Sequence, residues 1–194
     1  TRYYPGEANA RTADAFVINK VDTADPDAVL GLHESLRKLA PDAVILEGAS
    51  PLFVDDPDQI QGKRVLVVED GPTLTHGEMK IGAGVVAARK FGASELVDPR
   101  PFTVGKLSET FSIYPGIGTL LPAMGYSKQQ LKDLETTINN TDCDAVVIGT
   151  PIDLSRIVKI NKPATRVFYD LQEIGYPDLK SVIDDFIGKS GLSK

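Results

Sequence analysis

The sequence predicts an α/β fold, with a mainly parallel sheet of about six strands flanked by helices. Short runs rich in Val, Ile and Leu alternate with stretches of helical spacing, and such alternation builds parallel sheets through right-handed crossovers. The runs are continuously apolar, as strands covered by helices on both faces are. The 194 residues are 42% hydrophobic, which is enough for one sizeable core or two small lobes.

The element boundaries follow from apolar runs and from capping and breaking residues. The first helix is predicted after Asp25 and Pro26, an N-cap followed by a proline suited to the first turn, and it ends before Pro41. Gly92 closes the second helix. The six predicted strands cover residues 15–19, 44–47, 64–69, 95–97, 145–148 and 166–169. The other predicted helices cover residues 78–91, 104–113, 128–140, 154–160 and 178–187, and residues 1–14 are predicted as a loop.

Charge and composition exclude several classes of function. The net charge is -6, and no basic stripe exists that would favour nucleic acid as a partner. No apolar run approaches the roughly 20 residues that a membrane span needs, and the single Cys143 excludes a disulfide framework and a cysteine metal site. No secretory signal is visible, so we expect a cytoplasmic protein. The chain opens at Thr1 on a predicted loop, which favours the later part of a longer protein.

The first strand ends in Asn19, Lys20 and Asp22 of the sequence NKVD. A carboxylate can accept from the ring N–H and the exocyclic amine of guanine together, and a lysine stem can cover the flat face of the base. The next strand ends in GAS, where Ala49 and Ser50 allow a backbone N–H to approach the guanine carbonyl. The pair of loops indicates a nucleotide-base site. The alternative is a helix-entry turn followed by a plain loop.

The densest polar cluster, EDGPTLTHG, follows the third strand and precedes a helix. Its acidic residues suit a cation. Its hydrogen-bond donors, together with the free N–H groups of the helix start, suit a phosphate. The candidate catalytic residues are Glu69, Asp70 and His76, the candidate phosphate- or substrate-binding residues are Thr73 and Thr75, and the candidate metal ligands are Glu69 and Asp70. The alternative is an acidic strand end beside a capped helix.

A third polar loop, GTPID, follows the fifth strand. Ligands of parallel sheets bind beyond the carboxyl ends of the strands, so Thr150 and Asp153 are predicted to line a phosphate or substrate pocket with EDGPTLTHG. Thr150 could instead cap the following helix.

Three long segments carry a resemblance to known proteins: YYPGEANARTADAFVINKVD, KRVLVVEDGPTLTHGEMKIGAGVVAARKFGASELVDPRPF and DCDAVVIGTPIDLSRIVKINKPATRV. Together they resemble a family of predicted GTPases related to archaeal cyclic 2,3-diphosphoglycerate synthetase, which uses ATP to close an intramolecular phosphoanhydride. The resemblance implies the C-terminal portion of a P-loop NTPase-like protein, whose phosphate loop lies in an N-terminal region of the same polypeptide. It also implies GTP or ATP and Mg²⁺ as cofactors of the parent protein, and a small phosphorylated substrate.

On this interpretation, residues 1–61 form the end of a guanine-reading lobe and residues 62–194 form an α/β domain with the substrate site. The parent would be a nucleotide-dependent phosphoryl-transfer enzyme, and this chain alone would not hydrolyse nucleotide. The alternative is a GTPase-like regulatory module that binds a protein partner.

Overall fold

The computed structural model of the chain describes residues 4–71, 81–125 and 127–191. The described helices are α1 (Tyr4–Arg11), α2 (Pro26–Leu39), α3 (Ala83–Lys90), α4 (Lys106–Ile113), α5 (Lys128–Asn140) and α6 (Leu179–Lys189). The described strands are β1 (Ala15–Asn19), β2 (Val44–Ala49), β3 (Leu52–Val54), β4 (Arg64–Asp70), β5 (Glu95–Leu96), β6 (Leu121–Ala123), β7 (Ala145–Ile148), β8 (Ala164–Tyr169) and β9 (Gln172–Ile174). None of these helices is both long and apolar enough to cross a bilayer.

The chain divides into two compact units. The first combines the residues up to Pro51 with those from Tyr169 onward, and the second runs from Leu52 to Phe168. The domain boundary predicted from the sequence lay after residue 61, between a nucleotide-binding lobe and a substrate domain. The functional assignment of those two segments stays a prediction.

The first unit contains a three-stranded sheet in the order β1-β2-β9. Strands β1 and β2 are parallel, with Asn19 beside Gly48 at their carboxyl ends, and β9 is antiparallel to β2. The connection between β1 and β2 is α2, which begins as predicted: the Asp25 carboxylate accepts the N–H of Ala28 at 3.0 Å. The two strand-end loops of the predicted base site therefore lie side by side.

The prediction of a loop over residues 1–14 is wrong, because α1 forms within it. Ala8 and Ala10 are strong helix formers, and Pro5 stands in the first turn, where proline is tolerated. Arg11 forms an ion pair with Glu7 one turn earlier, at 2.7 Å. Gly6 and Asn9 gave this segment the composition of a loop.

The second unit contains a six-stranded sheet in the order β3-β8-β7-β4-β5, and β6 also pairs with β4. The pairs of β4 with β5, β6 and β7, and of β7 with β8, are parallel. Strand β5 pairs with the start of β4 and β6 with its end, so they follow each other along one edge. The centre of β4, from Val65 to Val68, is fully buried, as a strand covered on both faces should be.

The α/β class and the flanking helices are confirmed, whereas the single mainly parallel sheet is not. The described sheets are two, and together they are mixed, since β9 is antiparallel. Strands β3, β6 and β9 were missed, and the helix predicted over 154–160 is a short 3₁₀ helix, Leu154–Arg156. Leu154 and Val158 are buried at helical spacing, but the Asp153 side chain accepts the N–H of Ser155 and supports only one tight turn.

Candidate functional site

The predicted base-reading residues meet at the carboxyl ends of β1 and β2. Asn19 Oδ1 accepts the backbone N–H of Lys20 at 2.8 Å and the hydroxyl of Ser50 at 3.2 Å. Asp22 Oδ1 accepts the backbone N–H of Ser50 at 3.1 Å. The side chains of Asn19 and Asp22 thus tie the two loops together, and Ala49 is buried. The Ser50 N–H that could have met a guanine carbonyl is bound to Asp22.

The backbone of Lys20 has a positive φ of 64°, which is uncommon for a residue with a side chain. Its carbonyl accepts the N–H groups of Thr23 at 3.2 Å and Ala24 at 3.1 Å, so a tight turn fixes this conformation. The Lys20 ammonium lies 5.9 Å from the centre of the Tyr169 ring. Unusual backbone conformations of this kind concentrate at functional sites.

Tyr169 and Leu171 are the residues of this site that the sequence did not reveal. Tyr169 is 56% exposed beside Lys20, and the Leu171 side chain occupies the space that a Cβ at Gly48 would need. Both residues reach the site because β9 pairs with β2. That pairing joins positions over 120 residues apart in the chain, so a local sequence pattern does not predict it.

The end of β4 carries a buried acid. Glu69 is 3% exposed, and its Oε1 accepts the backbone N–H of Val85, in the first turn of α3, at 2.9 Å. Three glycines enclose this carboxylate: Gly82, Gly84 and Gly149. A Cβ at Gly149 would lie 2.6 Å from Glu69 Oε2 and 2.7 Å from the Gly84 nitrogen, so only glycine fits there.

Burial raises the pKa of Glu69 to about 7, since the charged carboxylate has lost most of its water. Hydrogen bonds from the N–H groups of Val85, Gly84 and Gly82 act in the opposite direction, and the charge of Asp70 adds a smaller upward shift. Near neutral pH the group therefore exists in both protonation states. Its contacts are those of a side chain that caps a helix, and its predicted catalytic and metal-binding roles stay predictions.

The GTPID loop lies at the same sheet edge as Glu69, because Val68 is paired with Ile148. Thr150 is 2% exposed, and its hydroxyl donates to the carbonyl of Ile152 at 2.8 Å. Asp153 Oδ1 accepts the N–H of Ser155 at 3.2 Å and its hydroxyl at 2.6 Å. The Ser155 hydroxyl and the nearby Arg166 and Arg156 lower the pKa of Asp153, against the effect of desolvation. The hydroxyl of Thr150 and one carboxylate oxygen of Asp153 are thus bound within the loop and its following turn, and the other oxygen of Asp153 faces Arg156 and Arg166.

The structure describes only the first three residues of EDGPTLTHG, Glu69 to Gly71. Thr73, Thr75 and His76 lie outside the described residues, so their placement beside GTPID stays a prediction. Asp70 is half-buried at the end of β4. No group of three or more His, Cys, Asp or Glu side chains within the described ranges is placed to hold a metal ion, and Mg²⁺ stays an expectation of the parent protein.

The fold defines an α/β protein in which each of the two units carries polar loops at the carboxyl ends of its own parallel strands, the usual ligand edge of such sheets. No protein-family profile matches the chain. The chain is 57% identical, over 185 residues, to the arginine synthetase ArcE of Thermococcus kodakarensis. The alignment covers 95% of this chain and 41% of that relative, so the chain spans about two fifths of the relative's length.

Proposed function

We propose that this chain is part of a nucleotide-dependent synthetase, a ligase of the kind that its relative's name describes. The identity of 57% over nearly the whole chain supports this proposal most strongly. The interlocked NKVD and GAS loops support a nucleotide as the driving ligand, with base contacts from Asn19, Lys20 and Asp22. The remaining parts, a phosphate loop and Mg²⁺, would come from a P-loop NTPase-like region of the same polypeptide.

The Lys20–Tyr169 pair supports this placement of the base. A flat ring stacked between two groups needs about 3.5–4.0 Å on each side, and the ammonium now lies 5.9 Å from the ring centre. A shift of the flexible lysine side chain by a few ångströms would open the slot. The base would then lie between the lysine stem and the Tyr169 ring, with its edge toward Asp22.

A synthetase of this type would activate its acceptor by phosphoryl transfer. The γ-phosphoryl group of the nucleotide moves to an acceptor oxygen, which leaves the nucleoside diphosphate, and a nucleophile then displaces phosphate from the activated acceptor. With an amine as nucleophile, the product can be a guanidino compound such as arginine. With a second phosphate of the same molecule, the product is a cyclic phosphoanhydride, as the resemblance to cyclic 2,3-diphosphoglycerate synthetase implies.

The reverse reaction, in which arginine is consumed and a nucleoside triphosphate is formed, provides the test. It does not require the acceptor or the nucleophile of the forward reaction to be known. The complete protein is incubated with arginine, phosphate and either ADP or GDP, and the nucleoside triphosphate formed is measured by chromatography. Arginine-dependent synthesis of ATP or GTP would support the proposal, and Asp22→Ala should reduce it through nucleotide binding.

Three other outcomes separate the alternatives. Turnover of ATP or GTP that requires 2,3-diphosphoglycerate would favour the cyclic synthetase. Steady GTP hydrolysis that neither arginine nor diphosphoglycerate changes would favour a GTPase-like module that acts on a protein partner. Absence of nucleotide turnover and of nucleotide binding in the complete protein would overturn the proposal.

A further inference from the structure

Arg166 of β8 is an arginine whose guanidinium is poorly satisfied by the described residues. It pairs with Ile148, the last residue of β7, and so lies at the carboxyl edge of these parallel strands. Its Nε is buried and has no hydrogen-bond partner among the described residues. Its Nη1 lies 3.6 Å from Asp153 Oδ2, which is too far for a good hydrogen bond. The side chain is nevertheless 38% exposed, so a ligand can reach its outer end.

Two other arginines of the same unit differ from Arg166. Arg64 donates to Glu95 at 3.0 Å and to Asp142 at 3.3 Å. Arg100 donates to Asp98 at 2.8 Å and lies over the ring of Phe111 at 5.0 Å. Their guanidinium groups serve the fold. A buried donor without a partner is rare in native proteins and calls for an explanation.

Asp153 is not a sufficient partner for Arg166. One of its oxygens accepts both hydrogen bonds from Ser155. The other is shared by Arg156, at 3.3 Å, and Arg166, at 3.6 Å. Two guanidinium groups thus face one carboxylate, and the cluster keeps one positive charge at the sheet edge.

We infer that Arg166 is the receptor for an oxyanion, the carboxylate or phosphate group of a small ligand, and that Arg156 is its second cation. The planar fork of a guanidinium matches both groups in a bidentate geometry. The position is the usual ligand edge of a parallel sheet. This inference is independent of the proposed function, because anion binding at Arg166 stands whether or not the complete protein makes nucleotide from arginine.

The test follows the arginine Nε–Hε signals of the full ¹⁵N-labelled chain by NMR. Inorganic phosphate and free arginine are added separately at constant ionic strength, and Arg166→Lys identifies the Arg166 signal by its loss. We expect a saturable shift of the Arg166 signal and none at Arg64. A response to phosphate identifies a phosphoryl group as the ligand, and a response to arginine identifies a carboxylate. No saturable shift with either probe, or an equal shift at Arg64, would overturn the inference.

Two variants add a test of sign. Asp153→Asn removes the competing carboxylate and should tighten anion binding several-fold, whereas Arg166→Lys should weaken it about tenfold, since it loses the bidentate fork. Arg64→Lys is the matched control and should bind as the wild type does. Weaker binding in Asp153→Asn would place the receptor elsewhere. If a variant does not fold, the titration of the wild-type protein still tests the inference. The Arg166 signal can then be assigned through correlations to covalently bonded nuclei.

Discussion

Replacing Glu69 by Gln should remove a specific part of the pH dependence of stability. The buried carboxyl group of Glu69 has a pKa of about 7, against an ordinary value of 4.5. Between these two values the folded protein binds more protons than the unfolded chain does. The free energy of unfolding therefore falls as pH rises through this window, and the penalty is complete above about pH 7.

The size of this effect follows from the two pKa values. A difference of about 2.5 units corresponds to about 3 kcal/mol, at about 1.4 kcal/mol for each unit. Glu69 is 3% exposed, so solvent screens little of it. The glutamine side chain of the Glu69→Gln variant would be neutral at every pH, and its carbonyl could still accept the Val85 N–H. The NH₂ group of this glutamine would instead face the backbone N–H groups of Gly82 and Gly84. Two donors facing each other should lower the free energy of unfolding by about 1–3 kcal/mol at every pH.

Urea unfolding between pH 5 and pH 8, followed by circular dichroism, measures the difference. Wild type should be the more stable protein at pH 5, and the gap to Glu69→Gln should shrink or reverse by pH 8. Val85→Ala is the matched control: it should lower stability by about 2 kcal/mol at every pH, because it removes packing without removing a titrating group. An unchanged pH slope in Glu69→Gln would refute the reasoning.

Three further predictions concern the base site and the glycines. Asp22→Ala in the complete protein should weaken guanine-nucleotide binding by about 2–5 kcal/mol and adenine-nucleotide binding far less, and equal effects in competition assays would contradict the guanine interpretation. Tyr169→Ala should weaken nucleotide binding about tenfold while Tyr169→Phe keeps it, because a stacking ring contributes about 1–3 kcal/mol; equal loss in both would indicate the hydroxyl instead. Gly149→Ala should lower the melting temperature more than Gly48→Ala does. The new Cβ at position 149 would meet the backbone of Gly84, whereas the new Cβ at position 48 would meet the flexible Leu171 side chain. A larger loss in Gly48→Ala during thermal unfolding would contradict this reasoning.

The parts of the fold that local pattern predicts are those that local interactions build. Helix α2 was predicted because Asp25 and Pro26 mark its start, and β4 because its apolar run is unbroken. Strand β6 was missed because Leu121–Ala123 contains a proline and lies inside a loop-like sequence, so only its pairing with β4 makes it a strand. The same holds for β9, whose partner β2 is far away in the chain.

The candidate site divides in the same way. That Asn19 and Ser50 would approach each other follows from two consecutive strands that end in polar loops, since consecutive strands are commonly neighbours. The burial of Glu69 does not follow, because it depends on how closely α3 approaches β4 and β7. The unpartnered Nε of Arg166, among the described residues, is a property of three-dimensional packing, and its position in a strand sequence is consistent with many roles.

The N–H groups at the start of α3 are already bound and do not offer a free anion site. Free N–H groups at a helix start favour anions, and α3 begins after Gly82 with no side-chain cap from that residue. In the structure those groups already face an anion of the chain itself, the carboxylate of Glu69. A phosphate at this helix start would have to displace that carboxylate or share its donors with a second negative charge in a buried place. Arg166 also faces a carboxylate of the chain, that of Asp153, but at 3.6 Å and shared with Arg156. Its side chain is 38% exposed, so Arg166 is the better receptor.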